Sequence, residues 1–466
     1  MVRNPPEGFV KKHTRTTTRG LRARLLFSVT LIGLIGLIGC GSYVDRHLAQ
    51  GDSLFKAKKF REAIDQYGKA LRFAPDNPSG IRGIGLAHYY VHDARDAFVY
   101  LSKANMLQPG VADVDLALGD IYLSSGRTDS ALKFANAILN KEPGNVAALR
   151  LRGTASLAAQ EPTKAADAYR TILQSDPRDS LAHYYLGLSL LAQNNRQDAK
   201  REFESALAIS PKWADALARI VEIEVADHHV DEAVAVAKQH IATAGKTAPL
   251  MRVLGDAYVA KGDVDGAESA YRESMQLDPK FVESRIGLAS VYFNSKKPDD
   301  ALRLVDEAIT IDSASVPAFL LRGMIFHSKG DLTQAQAAYE KALSLNPRQA
   351  KAANNLALLL ADKPNGGKRA VELATIAHNA APDDPHIADT FGWLLYRYGM
   401  HKQAVDVLRQ SAEKLPTDPA IQYHLGMALQ QVGDVGGARR ALTQAVSSPT
   451  NFAGKEEARL TLAALK

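Results

Sequence analysis

Small and helix-breaking residues recur along this chain with a period of 34 residues. The period is marked by a proline or a substitute for it at Pro75, Pro109, Pro143, Pro177, Pro211, Gly245, Pro279, Ser313, Pro347, Pro382, Pro416 and Pro449. An alanine lies twelve residues before each mark as far as Pro416, and a glycine lies 24 residues before most of them. A fixed period of this length predicts a helical repeat with two helices in each unit.

Each recurring residue type has a physical reason to stand where it does. We expect the glycine of the first helix to face the alanine of the second, because two helices approach closely only where both contact residues are small. The proline ends the second helix, since it lacks a backbone N–H. Recurring aromatic residues on the second helix are predicted to pack in the core between repeats. They are Tyr67, Tyr169, Phe203, Tyr271 and Tyr339.

The turn between the two helices carries glycine in several units, where a left-handed conformation closes the first helix. These glycines are Gly126, Gly262, Gly330, Gly399 and Gly433.

The clearest copy of the repeat reads Leu254-Gly255-x-x-Tyr258, then Ala267-x-x-x-Tyr271, then Pro279. This pattern resembles the tetratricopeptide repeat, a helix-turn-helix of 34 residues. The resemblance implies an all-α, right-handed superhelical solenoid of about twelve repeats over residues 44–452. Because such repeats bury their apolar faces only against one another, the last one needs a cap, and residues 453–466 are predicted to form a capping helix.

The first 39 residues are predicted to be a lipoprotein signal peptide. A basic stretch precedes an apolar run, residues 25–38, that is shorter than the roughly 20 residues of a membrane-spanning helix. The run ends at Leu37-Ile38-Gly39-Cys40, which resembles a bacterial lipobox, so Cys40 is the predicted lipidation site and residues 40–43 a tether. The alternative is an uncleaved signal anchor. Both predict that the following residues are exported.

The residues after Cys40 favour a location at the outer membrane, facing the periplasm. Gly41 and Ser42 stand where an aspartate would retain an enterobacterial lipoprotein at the inner membrane. Cys40 is the sole cysteine, so an intramolecular disulfide is excluded even in an oxidising compartment.

The net charge of +6 does not indicate nucleic-acid binding. The leader has seven basic side chains against Glu7 alone, which accounts for the whole excess. The remaining chain is neutral, and neutrality favours specific docking over electrostatic capture.

Catalytic and cofactor motifs are absent from the sequence. His228-His229 lacks the carboxylate or cysteine spacing of a metal site. Gly366-Gly367 lacks the Gly-Lys-Ser/Thr of a phosphate-binding loop, and no Gly-x-Ser-x-Gly elbow occurs. We therefore expect no enzyme activity, metal or cofactor.

The resemblance implies that ligands lie along a concave face formed by the first helices. In the eleventh unit that face carries Asp389, Trp393, Tyr396 and Arg397, one side of a helix. Neighbouring units add Lys351, Asn354 and Tyr423. Tryptophan, tyrosine and arginine are enriched at binding hot spots, so these seven residues are the candidate partner site. The alternative is that Trp393 and Tyr396 pack against the next repeat.

The C-terminal repeats resemble those of TPR lipoproteins that accompany bacterial exopolysaccharide and PEP-CTERM protein-sorting systems. The resemblance lies in Ala352-Ala353-Asn354-Asn355-Leu356-Ala357, Pro364-Asn365-Gly366-Gly367, Asp389-Thr390-Phe391-Gly392-Trp393-Leu394-Leu395 and Gln422-Tyr423-His424-Leu425-Gly426.

This likeness implies a periplasmic scaffold that helps to assemble envelope or export machinery, with envelope proteins and polysaccharide as partners and the membrane reached through the lipid. The alternatives are a glycan- or peptide-binding module and a regulatory subunit of a cell-wall enzyme.

The sixth unit departs most from the repeat pattern, so residues 221–248 are predicted to be more mobile than their neighbours.

Overall fold

The computed structural model describes residues 43–363 and 366–465. The predicted signal peptide, the lipidation site Cys40 and residues 364–365 of the glycine-rich insertion lie outside the described residues. The chain divides into two units, one that ends at Ser210 and one that begins at Pro211. Throughout the described ranges the regular secondary structure is helical, without strands, so the predicted all-α class is confirmed.

The first unit contains five helix pairs. Their helices are α1 (43–56), α2 (Phe60–Phe73), α3 (Pro78–Tyr90), α4 (Ala94–Leu107), α5 (Ala112–Ser124), α6 (Thr128–Leu139), α7 (Val146–Ala158), α8 (Pro162–Ser175), α9 (Ser180–Ala192) and α10 (Arg196–Ile209). Odd-numbered helices are the first helices of the repeats and even-numbered helices the second. Each helix packs on the next, and α3, α5, α7 and α9 also touch one another in a row.

The second unit continues the same arrangement with seven pairs and a final helix. Its helices are α11 (Ala214–Ala226), α12 (Val230–Ala244), α13 (Ala248–Lys261), α14 (Val264–Leu277), α15 (Val282–Asn294), α16 (Pro298–Ile311), α17 (Val316–Ser328), α18 (Leu332–Leu345), α19 (Ala350–Ala361), α20 (Gly367–Ala380), α21 (Pro385–Arg397), α22 (His401–Lys414), α23 (Pro419–Gln431), α24 (Val435–Ser447) and α25 (Lys455–Ala464). Helix α25 lies within the segment predicted to cap the solenoid, and it packs on α23 and α24.

The helix boundaries follow the proline marks and the turn glycines. Most second helices end two residues before their mark, as α8 does before Pro177 and α14 before Pro279. All five predicted turn glycines have a positive φ, between 76° and 81°. Where the turn lacks glycine, residues such as Lys58 and Gln160 adopt the same left-handed backbone, with φ near 60°. The repeat therefore imposes this conformation whatever the side chain.

The recurring alanines are the most tightly enclosed residues of the fold. All twelve, from Ala63 to Ala438, have no exposed surface. In repeats with a recurring aromatic residue, the atoms nearest to the glycine belong to that ring. A Cβ built at Gly153 or Gly187 would collide with the ring of Tyr169 or Phe203, one helical turn beyond the alanine. Side chains four residues apart share a helix face, so alanine and ring lie in succession along the same contact.

The recurring aromatic residues fill the space that the glycines leave, as predicted. All five are at most 2% exposed. Tyr67 would be struck by a Cβ built at Gly51 of its own repeat and also by one built at Gly83 of the next. The ring is therefore held between two first helices, which joins consecutive repeats.

Repeats without the glycine compensate at the facing position. The sixth repeat has Val221 with Ala237 sixteen residues later, and the eighth has Ala289 with Val305. All four residues are buried. A larger residue on one helix thus meets a smaller one on the other, which conserves the packed volume.

Among the described residues, no helix is both long and apolar enough to cross a membrane.

Candidate functional site

The candidate residues of the eleventh and twelfth repeats lie on two helices that begin in the same way. Asp384 and Asp418 accept hydrogen bonds from backbone N–H groups in the first turns of α21 and α23, and a proline opens each helix. An N-cap carboxylate followed by proline fixes where a helix starts. These caps therefore set the register that brings Trp393 on α21 beside Tyr423 on α23.

Four rings meet there, and we call Trp393, Tyr396, Tyr423 and His424 the aromatic patch. Tyr396 and His424 both stack on the indole of Trp393, with centroids 4.8 and 4.1 Å away and planes within 20° of parallel. Tyr423 contacts the indole at a tilt, 5.5 Å between centroids. Because two of these rings belong to the next repeat, Trp393 takes part in packing between repeats while remaining only partly buried.

His424 is oriented by a carboxylate of the preceding repeat. Its Nδ1 lies 2.8 and 3.0 Å from the two carboxylate oxygens of Asp389. A carboxylate oxygen accepts hydrogen bonds, so the Nδ1–H donates and the other ring nitrogen, Nε2, is left as the acceptor of the neutral ring. Both side chains are about 15% exposed, which puts the pair at the edge of the patch.

The phenols of the patch remain protonated donors. Tyr423 donates to Glu457 of α25 with an oxygen-to-oxygen distance of 2.7 Å. Burial, and then this hydrogen bond to a carboxylate, raises the pKa of Tyr423 above its ordinary value. Burial likewise raises the pKa of Tyr396. Both phenols are therefore neutral at neutral pH, and the hydroxyl hydrogen of Tyr423 is already used within the fold.

The remaining predicted residues do not join this cluster. Arg397 pairs with Asp362, 2.9 Å away, and Lys351 is exposed on α19. The amide nitrogen of Asn354 lies 3.4 Å from the side-chain oxygen of Asn355. In the described part of the chain, no hydrogen bond or ring contact links Lys351 or Asn354 to the aromatic patch. The structure thus brings together Asp389, Trp393, Tyr396 and Tyr423 from the predicted set.

Sequence reasoning missed two members of the site, His424 and Glu457. Each meets its partner about one repeat away: 35 residues separate His424 from Asp389, and 34 separate Glu457 from Tyr423. Residues one repeat apart occupy equivalent places on neighbouring first helices. That rule could have singled out both, had it been applied to polar residues as well as to the aromatic stripe.

One group outside the patch has the composition of a metal site. His88, Asp93 and Asp96 place ligand atoms within 4.8 Å of one another. Asp93 is the N-cap of α4 and accepts from the N–H of Asp96, and His88 lies 3.1 Å from Asp93. Helix capping accounts for this cluster without an ion. His229 of the adjacent histidine pair lies 3.3 Å from Glu224.

These helix pairs, each packed on the next and presenting a row of first helices, define an interaction protein of the helical-repeat class. Tetratricopeptide repeat models match residues 91–147, 116–180, 150–214 and 258–320, and a TPR repeat model matches 323–363. The chain therefore contains tetratricopeptide repeats, which generally mediate binding to other proteins.

Similar proteins cover only parts of this chain. The TPR repeat-containing protein PA4667 of Pseudomonas aeruginosa is 28% identical over 172 residues, which is 37% of this chain and 29% of that protein. Cellulose synthase operon protein C of Pseudomonas fluorescens is 36% identical over 91 residues, 18% of this chain and 7% of that protein. The chain thus spans less than a third of the length of either relative.

Among solved structures, yeast Tom70 has a similar fold. It superposes with a TM-score of 0.51 at 17% identity, covering 86% of this chain and 99% of that chain. At this identity the likeness concerns the fold alone.

Proposed function

We propose that this chain is a non-catalytic scaffold of the bacterial cell envelope that binds other proteins while export machinery for exopolysaccharide or protein is assembled. The observation that carries the proposal is that helical repeats occupy residues 43–363 and 366–465, the described part of the chain. The likeness to 91 residues of cellulose synthase operon protein C supports the link to polysaccharide export. Lipid on Cys40 would hold the scaffold at the periplasmic side of a membrane, preferably the outer one.

The geometry of the aromatic patch favours a protein partner over a glycan. Sugar rings stack on exposed aromatic faces, whereas Tyr396 and His424 already stack on Trp393. Trp393 is only partly buried, so part of the indole remains accessible. Tryptophan and tyrosine are enriched at protein hot spots.

Affinity capture from crosslinked cell envelopes tests this function directly. The full lipidated chain is compared with Trp393→Ala and with the control Trp213→Ala, which removes the other tryptophan of the chain. We expect an export barrel or a polymer synthase to be recovered with the wild type and the control and to be lost with Trp393→Ala. Equal recovery with all three would reject the patch, provided that circular dichroism shows unchanged helicity.

The identity of the captured partners separates the proposal from its alternatives. Cell-wall synthases or hydrolases in place of export components would favour a regulatory subunit of a cell-wall enzyme. Retention on a polysaccharide column, lost with Trp393→Ala in the absence of captured protein, would favour a glycan-binding module.

The anchor has its own test. Metabolic labelling with a fatty acid should mark the wild type and not Cys40→Ser, and membrane fractionation should place the labelled protein mainly in the outer membrane. Lipidation at Cys40 would be rejected if Cys40→Ser were labelled, or if neither the wild type nor the variant were labelled.

A further inference from the structure

The unit that ends at Ser210 contains a groove along its first helices, lined by none of the residues of the aromatic patch. We call it the N-terminal groove; its volume is about 460 Å³, and a smaller extension of about 240 Å³ shares Phe55, Leu86 and Asp113 with it. Helices α3, α5, α7 and α9 each contribute a leucine to its wall. These are Leu86, Leu116, Leu151 and Leu181.

The seventh repeat shows one way in which the buried tyrosine of a repeat is satisfied. The hydroxyl of Tyr271 donates to Asp256 at 2.6 Å, and Arg252 forms an ion pair with the same carboxylate. In the first repeat, Tyr67 donates to Asp52 at 2.7 Å, from equivalent positions. A carboxylate on the first helix thus accepts the hydrogen bond of the tyrosine on the second.

The fourth repeat has the same arginine and tyrosine but lacks the carboxylate. Arg150, Thr154 and Tyr169 occupy the positions of Arg252, Asp256 and Tyr271, three repeats earlier. Thr154 donates its hydroxyl to the carbonyl of Arg150 at 2.9 Å, as a threonine within a helix commonly does.

Two buried donors beside this place lack an acceptor. Tyr169 is fully buried, and neither its hydroxyl nor the Nε of Arg150 has a hydrogen-bond partner. Both residues line the N-terminal groove. An unsatisfied buried donor is costly, so a ligand that accepts hydrogen bonds from both groups gains affinity by removing that cost.

We propose that the N-terminal groove binds a peptide segment of a partner protein, and that an aspartate or glutamate of that peptide accepts hydrogen bonds from Tyr169 and Arg150. The ligand carboxylate takes the place that Asp256 has in the seventh repeat. A terminal nitrogen of Arg150 remains paired with Asp179, which holds the guanidinium in position. This inference rests on the proposed function only in that the occupant is a protein.

Charge along the groove selects a peptide over an acidic polysaccharide. Asp113 is paired with Arg82, whereas Asp120 accepts a hydrogen bond from Tyr89 and has no cationic partner among the described residues. A polymer with a carboxylate on every sugar would bring like charge against Asp120. A peptide can place a lysine or arginine there and apolar side chains against the leucines.

Substitution of Thr154 provides the test, because it can supply the missing carboxylate from within. Random twelve-residue peptides displayed on phage are selected on the full chain, on Thr154→Asp, and on the control Thr154→Val, which adds no charge. We expect peptides with an acidic residue and a nearby basic one to be enriched on the wild type and on Thr154→Val. Thr154→Asp should reduce that enrichment at least tenfold while raising the melting temperature.

Three results would overturn the proposal: enrichment that Thr154→Asp leaves unchanged, enriched peptides without an acidic residue, and no enrichment on the wild type. Alginate, a polyuronate, serves as a second probe. Its binding with the same dependence on Thr154 would assign the groove to acidic polysaccharide and reject the peptide. Repeating the selection on Trp393→Ala separates the two sites, since this variant should enrich the same peptides whether or not the scaffold function holds.

Discussion

The ring of Tyr271 lies so close to Gly255 that a Cβ added to the glycine would fall 2.6 Å from Cε1 of the tyrosine. Both residues are buried within one repeat, and a Cβ at Gly287 of the next repeat would approach the same ring at 2.7 Å. The contact therefore sets the spacing of three helices, α13, α14 and α15.

Substitution of Gly255 by alanine should lower the free energy of unfolding by about 1–3 kcal/mol, because the added methyl group overpacks the contact with Tyr271. In a Tyr271→Val background the same substitution should cost less, as the eighth repeat combines Ala289 with Val305. Urea denaturation of the four proteins of this cycle measures the coupling. If the two substitutions have additive costs, the ring of Tyr271 is not the reason that position 255 requires a glycine.

Gln160→Gly should stabilise the chain by about 1 kcal/mol, since Gln160 adopts the left-handed conformation with φ of 59°, which side chains with a Cβ disfavour. Asn194→Gly is the matched control: its φ is the same, but asparagine tolerates this region better, so the gain should be smaller. Thermal denaturation of both variants gives the comparison. A loss of stability in Gln160→Gly would contradict the assignment of strain to this turn.

The pH dependence of stability should contain a contribution from Asp115. This carboxyl is 3% exposed, and burial raises its pKa above the ordinary value. Between the unfolded and the raised folded pKa the folded state binds more protons. The free energy of unfolding should therefore fall as pH rises through that window, and the full cost should be present above it.

Asp115→Asn removes this contribution, so the variant should be more stable than the wild type at neutral pH and should lack the decline. Chemical denaturation at a series of pH values measures both effects. Asp113→Asn serves as the control: Asp113 is partly exposed and paired with Arg82, and it is a minor cause of the raised pKa of Asp115, so the gain should be much smaller. Parallel pH profiles for wild type and Asp115→Asn would reject the prediction.

Tyr423→Phe should loosen the final helix. The substitution removes the hydrogen bond to Glu457 on α25 and keeps the ring, at a cost of about 1 kcal/mol. Amide exchange should become faster across α25 and stay unchanged in α21. Tyr398→Phe, which removes a hydrogen bond to the carbonyl of Ala361 instead, should leave α25 as protected as in the wild type.

Residues 221–248 remain predicted to exchange faster than the flanking repeats. In this repeat α12 is capped by Gly245, with φ of 85°, in place of the usual proline. Val221 and Ala237 are nevertheless buried. Exchange at the rate of the neighbouring repeats would show that the compensating packing restores full stability to this repeat.

Local chemistry makes the repeats recognisable in the amino-acid sequence. Proline after the second helix and glycine in the turn act within a few residues of their own position, so their period predicted where the second helix ends and where the turn lies. Which side chain of the second helix lies nearest to the glycine is not decided by such local effects. Whether Ala267 or Tyr271 meets Gly255 depends on how the two helices are rotated against each other, and spacing along the chain does not contain that angle.

The candidate site likewise has one part that the sequence predicted and another part that only the structure revealed. The stripe of Asp389, Trp393 and Tyr396 follows from the helical period, and all three residues lie on α21. Its association with His424 required knowing which groups of the next repeat come within bonding distance. The unsatisfied donors of Arg150 and Tyr169 could be recognised only when the equivalent carboxylate of Asp256 was seen to accept from Tyr271.

The amino-acid sequence alone established the all-α class, the number of repeats and where most second helices end, because backbone conformation responds to the residue at hand and its nearest neighbours. Only packing settled which side chains touch across repeats, since burial, ring stacking and hydrogen bonding depend on distances between atoms that are far apart in the chain. For this protein that difference separates the architecture, which a period of 34 residues encodes, from the binding surfaces, which contacts between neighbouring repeats create.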